Sequence, residues 1–110
     1  MVFREPNLDE ERLLRELLRR AGRSEYEDLL RAVRVEPMKD GGMGSMRLIW
    51  RNGCEESNDL GTELAVIEFK DDDGALVVAT LYANRKGEPF EVDIWKTDFT
   101  PVKTIPETFP

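Results

Sequence analysis

Two turn signatures divide the second half of the chain into three short alternating runs. Leu64 to Phe69 is followed by Asp72-Asp73-Gly74, Leu76 to Ala83 by Asn84-Arg85-Lys86-Gly87, and Phe90 to Trp95 closes the series. Alternating runs joined by turns this short pair antiparallel. Upstream, Met46, Leu48 and Trp50 alternate with Arg47, Ile49 and Arg51, and Val33 and Val35 with Arg34 and Glu36 before Pro37. The expectation is an antiparallel meander sheet of about five strands. Residues 52–62 (NGCEESNDLGT) read as a polar loop, and the tail from Thr97, with Pro101, Pro106 and Pro110, as an extended surface segment.

The first part of the chain has a different period. Asn7 with Glu10 three residues on is a capping-box signature. Leu13, Leu14, Leu17, Leu18 and Ala21 then recur at helical spacing, and Gly22 supplies a stop. Ser24 with Glu27 opens a second expected helix, with Tyr26, Leu29, Leu30 and Val33 as its apolar stripe. Two N-terminal helices packed on one side of the meander give an α+β fold, and 110 residues fit a single domain, 1–110.

Charge and residue usage narrow the chemistry. Residues 1–35 hold eight arginines and eight acids, so the net charge of −7 lies in residues 36–110, with eight basic and fifteen acidic side chains. An acidic body of this kind repels nucleic acid and anionic lipid and suits a basic partner. The first twenty residues are too charged for a signal peptide or a membrane span. There is no histidine, which removes the usual general base and most zinc sites. The single cysteine, Cys54, cannot form an internal disulfide, and Glu55 and Glu56 beside it make it a poor nucleophile. A cytoplasmic location follows as the expectation, with no cofactor, metal or catalytic residue assigned.

Four features carry candidate chemistry. Asp40-Gly-Gly-Met-Gly-Ser45 could offer backbone N–H groups to an anion through Gly41, Gly42 and Gly44, with Lys39 alongside. It matches neither the Walker nor the dinucleotide spacing, a strand follows it, and Asp40 repels phosphate, so a turn requiring glycine is the favoured reading. Asp71-Asp72-Asp73-Gly74 suggests calcium, but Phe69 and Thr80 stand where an EF-hand loop needs acids, so a hairpin is expected. Arg12, Arg15, Arg19 and Arg23 form a stripe on the first helix. Glu11–Arg15, Glu16–Arg20 and Glu16–Arg19 sit at pairing distance, so an ion-paired solvated face is expected. In Pro89-Phe-Glu-Val-Asp-Ile-Trp-Lys-Thr-Asp98, alternation turns Phe90, Val92 and Ile94 inward and Glu91, Asp93 and Trp95 outward, with Lys96 and Asp98 at the strand's end. Such a set could do acid–base work or anchor a partner.

The segments DGGMGS (40–45) and FEVDIWKTDF (90–99), with the DDDG turn and the leucine-rich helix, resemble those of a family of small bacterial proteins of unknown function. The resemblance implies the same fold and carries no activity, cofactor or catalytic residue. In character such domains are similar to immunity proteins that neutralise toxins. Three readings follow. The first is a non-enzymatic protein-binding domain using the acidic sheet face. The second is a small hydrolase or ligand-binding enzyme in which Asp40, Asp93, Lys96 and Asp98 line a pocket beside the glycine loop. The third is a homodimer formed through the sheet. Convergence of the glycine loop and the last strand's end in a pocket would favour the second.

Overall fold

The computed structural model describes residues 3–50 and 60–110. Helix α1 runs Leu8–Arg20 and is capped as its sequence directs. The Asn7 side chain accepts the Glu10 N–H at 2.8 Å, and the Glu10 carboxylate accepts the Asn7 N–H at 2.9 Å. Acids fill the first turn and arginines the last, which suits the helix dipole. Gly22 follows with φ 71°, a left-handed exit. Leu13, Leu14, Leu17 and Leu18 are fully buried, each contributing about 2 kcal/mol of hydrophobic stabilisation.

The expected second helix is instead a 3-10 segment, Ser24–Leu29, and no side chain caps it. Ser24 lies inside the element, with Arg23 at the cap position. The capping letters Ser24 and Glu27 therefore do not act as a cap, and the chain takes the tighter 3-10 winding between Gly22 and the strand that follows. The tighter pitch also splits the expected stripe. Leu30 and Val33 are buried, Tyr26 packs at the edge of the core, and Leu29 is partly exposed.

Five strands form one antiparallel sheet: β1 Arg34–Pro37, β2 Met46–Ile49, β3 Leu60–Lys70, β4 Leu76–Asn84 and β5 Pro89–Lys96. Their order is β1-β2-β5-β4-β3, so the simple meander is corrected: β5 inserts between β2 and β4. Met46 faces Val92 and Arg47 faces Glu91 across the β2–β5 join. The physical reason lies in the side chains. Phe90, Val92 and Ile94 are all buried and suit a central strand, whereas β3, with Glu63, Glu68 and Lys70, suits an edge. β3 also begins earlier than the alternation indicated, its first residues joining β4 through register irregularities at Glu63 and Ala65. At the other edge Arg4 and Val35 exchange backbone hydrogen bonds of 3.0 and 2.7 Å. Cys54, Arg51 and most of the polar loop lie outside the described residues.

The core lies between α1 and the inner sheet face, built from Val35, Met46, Leu48, Ile67, Phe69, Val77, Ala79, Leu81, Val92 and Ile94. Trp50 closes it under the 3-10 segment, 4.9 Å from the Tyr26 ring and donating to the Pro89 carbonyl at 2.6 Å. The tail is extended but not loosely laid on the surface: Val102, Ile105 and Phe109 pack against the core. Arg12 holds the Ile105 and Pro106 carbonyls, and Phe109 meets Phe69 edge-on at 6.0 Å. No helix among the described residues is long and apolar enough to cross a membrane.

Candidate functional site

The glycine loop joins β1 to β2 as a hairpin, closed by Met38 N–H to the Ser45 carbonyl at 2.9 Å. Gly41, Gly42 and Gly44 have φ of 76°, 84° and 112°, values that side-chain-bearing residues rarely adopt. The N–H groups that could have cradled an anion are turned onto the loop's own acid. Asp40 accepts from Met43 at 3.1 Å and Ser45 at 2.8 Å. Burial opposes ionisation of Asp40, but the bonds from Ser45, Gly44 and Met43 outweigh it and hold the carboxyl below its ordinary value. An internal carboxylate fills the nest, so the loop is a turn.

This loop does meet the end of β5. The Ser45 hydroxyl accepts the Ile94 N–H at 2.8 Å, and the Lys96 N–H points at the Met43 sulfur, 3.3 Å away. A cavity of about 180 Å³ lies beside the junction, lined by Asn7, Glu10, Gly42, Gly44, Phe69 and Lys103 among others. Of the sequence-derived candidates only Gly42 and Gly44 line it. Asp40, Asp93, Lys96 and Asp98 do not, so the expected acidic pocket is not assembled there. A wider depression of about 570 Å³, lined by Arg23, Asn84, Arg85 and Gly87 among others, sits at the far end of β4 and takes only Arg23 of the helix stripe from the sequence-derived candidates.

Lys96 corrects the reading of the strand's end. It shares the parity of Ile94, points inward and is fully buried. Its ammonium donates to Asp71 at 2.8 Å, Asp73 at 2.7 Å and the Pro101 carbonyl at 3.3 Å. Asp71 in turn accepts the tail's Lys103 and Thr104 N–H groups at 2.7 and 3.0 Å. Burial disfavours both charges, yet Asp71 is held well below the carboxylate range by Lys96 and the backbone donors. Lys96 is held above the usual lysine value by Asp71 and Asp73. With all three donors engaged, Lys96 is a structural clasp between the β3–β4 turn, β5 and the tail. Among the described residues no three side chains are grouped to hold a metal ion; the two nearest acids converge on this ammonium.

The outer face agrees with the expected register. Among the described residues no helix or strand crosses it, and neighbouring strands line up three rows of side chains. One is Glu68, Val78 and Trp95; the next is Val66, Thr80 and Asp93; the third is Glu63, Tyr82, Glu91, Arg47 and Glu36. Trp95 is 41% exposed. Arg47 is the one base in these rows, and its Nε is shielded from water without a hydrogen-bond partner. Burial, then the nearby Asp93 charge, pushes the Glu91 carboxyl up despite Arg47. Burial also pushes Tyr82 up, helped by Asp93, Glu63 and Glu91.

Beyond β5 the chain turns under Phe99, whose N–H donates to the Lys96 carbonyl at 2.9 Å. Asp98 fixes the turn by accepting the Thr100 N–H at 3.0 Å and hydroxyl at 2.7 Å. Phe99 has φ 63°, the one left-handed residue other than glycine among the described residues, and it is 66% exposed. Its ring stands 6.0 Å from that of Trp95 at 70°. Sequence reasoning found Glu91, Asp93 and Trp95 through alternation. It did not single out Glu68 and Tyr82, although the expected hairpins already set their strands beside β5, nor Phe99, which no local pattern marks.

The family described as "Domain of unknown function (DUF6984)" matches residues 3–106, and the chain belongs to that family. No curated protein and no solved structure matches the chain.

Proposed function

We propose that the chain is a non-enzymatic protein-binding domain that holds a basic partner on the outer face of its sheet. The observation that carries this reading is the face itself: an exposed tryptophan and a half-buried tyrosine among Glu63, Glu68, Glu91 and Asp93. Aromatic side chains supply buried area in a complex, while acids steer a cationic partner and fix its orientation. Like charges on the face oppose one another in the free chain, and a docked cation relieves that repulsion. An immunity-type role, in which a small acidic domain blocks a basic toxin in a bacterial cytoplasm, is one form of this reading.

Convergence of the glycine loop with β5 favours a small-ligand pocket as the second reading. Its volume weighs against it, since ligand sites usually span about 300–1,000 Å³. The acid–base set it would need is also engaged elsewhere, with Lys96 and Asp40 both internally paired.

The test is a paired capture from the native host, using the wild-type chain and the double variant Glu68→Lys/Asp93→Lys as baits. Both positions are exposed, so folding is kept, which a melt checks. A basic protein retained by the wild type and lost from the variant supports the reading. The same proteins on both baits would sink it.

A further inference from the structure

Folding accounts for neither the backbone nor the exposure of Phe99. A bulky residue with φ near +60° is an outlier, and glycine or asparagine would make the same turn with less strain. The residue gains little burial in return, being 66% exposed. What the turn does achieve is placement: Asp98 and the Lys96 carbonyl pin the chain so that Phe99 stands at 70° to Trp95, 6.0 Å away. Two aromatic rings set nearly at right angles form a corner with an open side. Around it the register sets Asp93 two residues before Trp95 on the same face, and Glu68 one strand beyond Val78. Asp73 and Asp98 belong to the adjoining turns, and Lys70 is the nearby base, one row further along β3.

We propose that the Trp95–Phe99 corner receives one arginine side chain of the protein partner, its guanidinium stacked on an aromatic face and its charge met by Asp93 and Glu68. This rests on the sheet-face reading above and names the chemistry at its centre. The electron-rich ring faces attract a cation, and planar guanidinium stacks flat on a ring while its edge N–H groups donate to carboxylate, a geometry that the compact, strongly hydrated ammonium matches less well. An acidic face with an aromatic corner is complementary to that group and repels anions.

The experiment uses the full chain, nitrogen-15 labelled, titrated with the blocked tripeptide Gly-Arg-Gly and its lysine and citrulline counterparts. The two indole N–H resonances separate the sites. Trp50 is buried and bonded to the Pro89 carbonyl, so it serves as the internal control. The arginine peptide is expected to move the Trp95 signal alone, with the lysine peptide weaker and the citrulline peptide inert. Phe99→Gly should weaken the arginine response by about threefold or more, the scale of one exposed cation–aromatic contact. Its Tm should hold or rise, because glycine relieves the left-handed backbone.

Equal shifts from the citrulline or lysine peptide, or an unmoved Trp95 signal, would overturn the proposal. So would a fall in Tm of more than about 4 °C in Phe99→Gly, which would make the ring a packing residue. Two variants separate this idea from the one beneath it. If Phe99→Gly keeps full affinity for a captured partner that Glu68→Lys/Asp93→Lys loses, the arginine corner fails and the sheet-face reading stands. If the double variant also keeps the partner, both fail.

Discussion

At the scale of single residues, the buried clasp dominates. Lys96 and Asp71 have no exposed side-chain surface, and each satisfies the other along with backbone groups from the tail. Removing one member of such a pair leaves an uncompensated buried charge. Lys96→Met is therefore expected to lower Tm by roughly 10 °C or more in a thermal melt. A near-wild-type melt would mean that the clasp is dispensable. Gly42 offers a second check. A Cβ there would sit on a left-handed backbone 3.3 Å from Pro101 Cγ, so Gly42→Ala should lose about 1 kcal/mol or more in a denaturant titration. An unchanged midpoint would show that the turn has another conformation open to it. The inward parity of Lys96 was readable from its spacing to Ile94. Its partners were not, because they lie in a turn whose acids read locally as a hairpin.

At the scale of elements, legibility follows the range of the interactions that decide each one. Helix α1 is set by contacts within four residues, so Asn7, Glu10 and the leucine spacing place it correctly. The outward parity of Glu91, Asp93 and Trp95 is equally local and equally legible. The 3-10 segment shares its capping letters with a true helix, but in the fold Ser24 lies inside the element and caps nothing. Insertion of β5 beside β2 depends on Met46 meeting Val92, which no periodicity within either strand encodes. The tail is the clearest miss. Its prolines announce extension, but the packing of Val102, Ile105 and Phe109 depends on Phe69 and α1 far away in sequence. If the tail belongs to the core, Phe109→Ala should lose about 1–2 kcal/mol, as a half-buried edge-on aromatic does. Chemical denaturation measures this, and an unaltered unfolding curve would return the tail to the surface.

At the scale of the whole molecule, the buried ion pair that serves folding is separate from the acidic outer face proposed for recognition. The clasp's contribution to folding has a defined pH window. Asp71 is depressed in the folded state, so its contribution is present above the unfolded carboxyl value near about 4 and is lost in stronger acid. Lys96 is raised, so its contribution is present below the unfolded lysine value near about 10.4 and is lost as pH climbs through the folded one. The difference in Tm between wild type and Lys96→Met should stay level from about pH 5 to 10 and shrink outside that range. A step in that difference near neutral pH would contradict the assignment.

The proposed recognition, by contrast, draws on the exposed acids and aromatics of the outer face, which contribute little to the core. The most direct measurement is a binding isotherm of the captured partner against Trp95→Ala, with melts of both proteins alongside. The expected result is a loss of about 2 kcal/mol or more in affinity, as central interface tryptophans show, with the melt nearly unchanged. Wild-type affinity in a folded Trp95→Ala variant would contradict it and place the interface elsewhere.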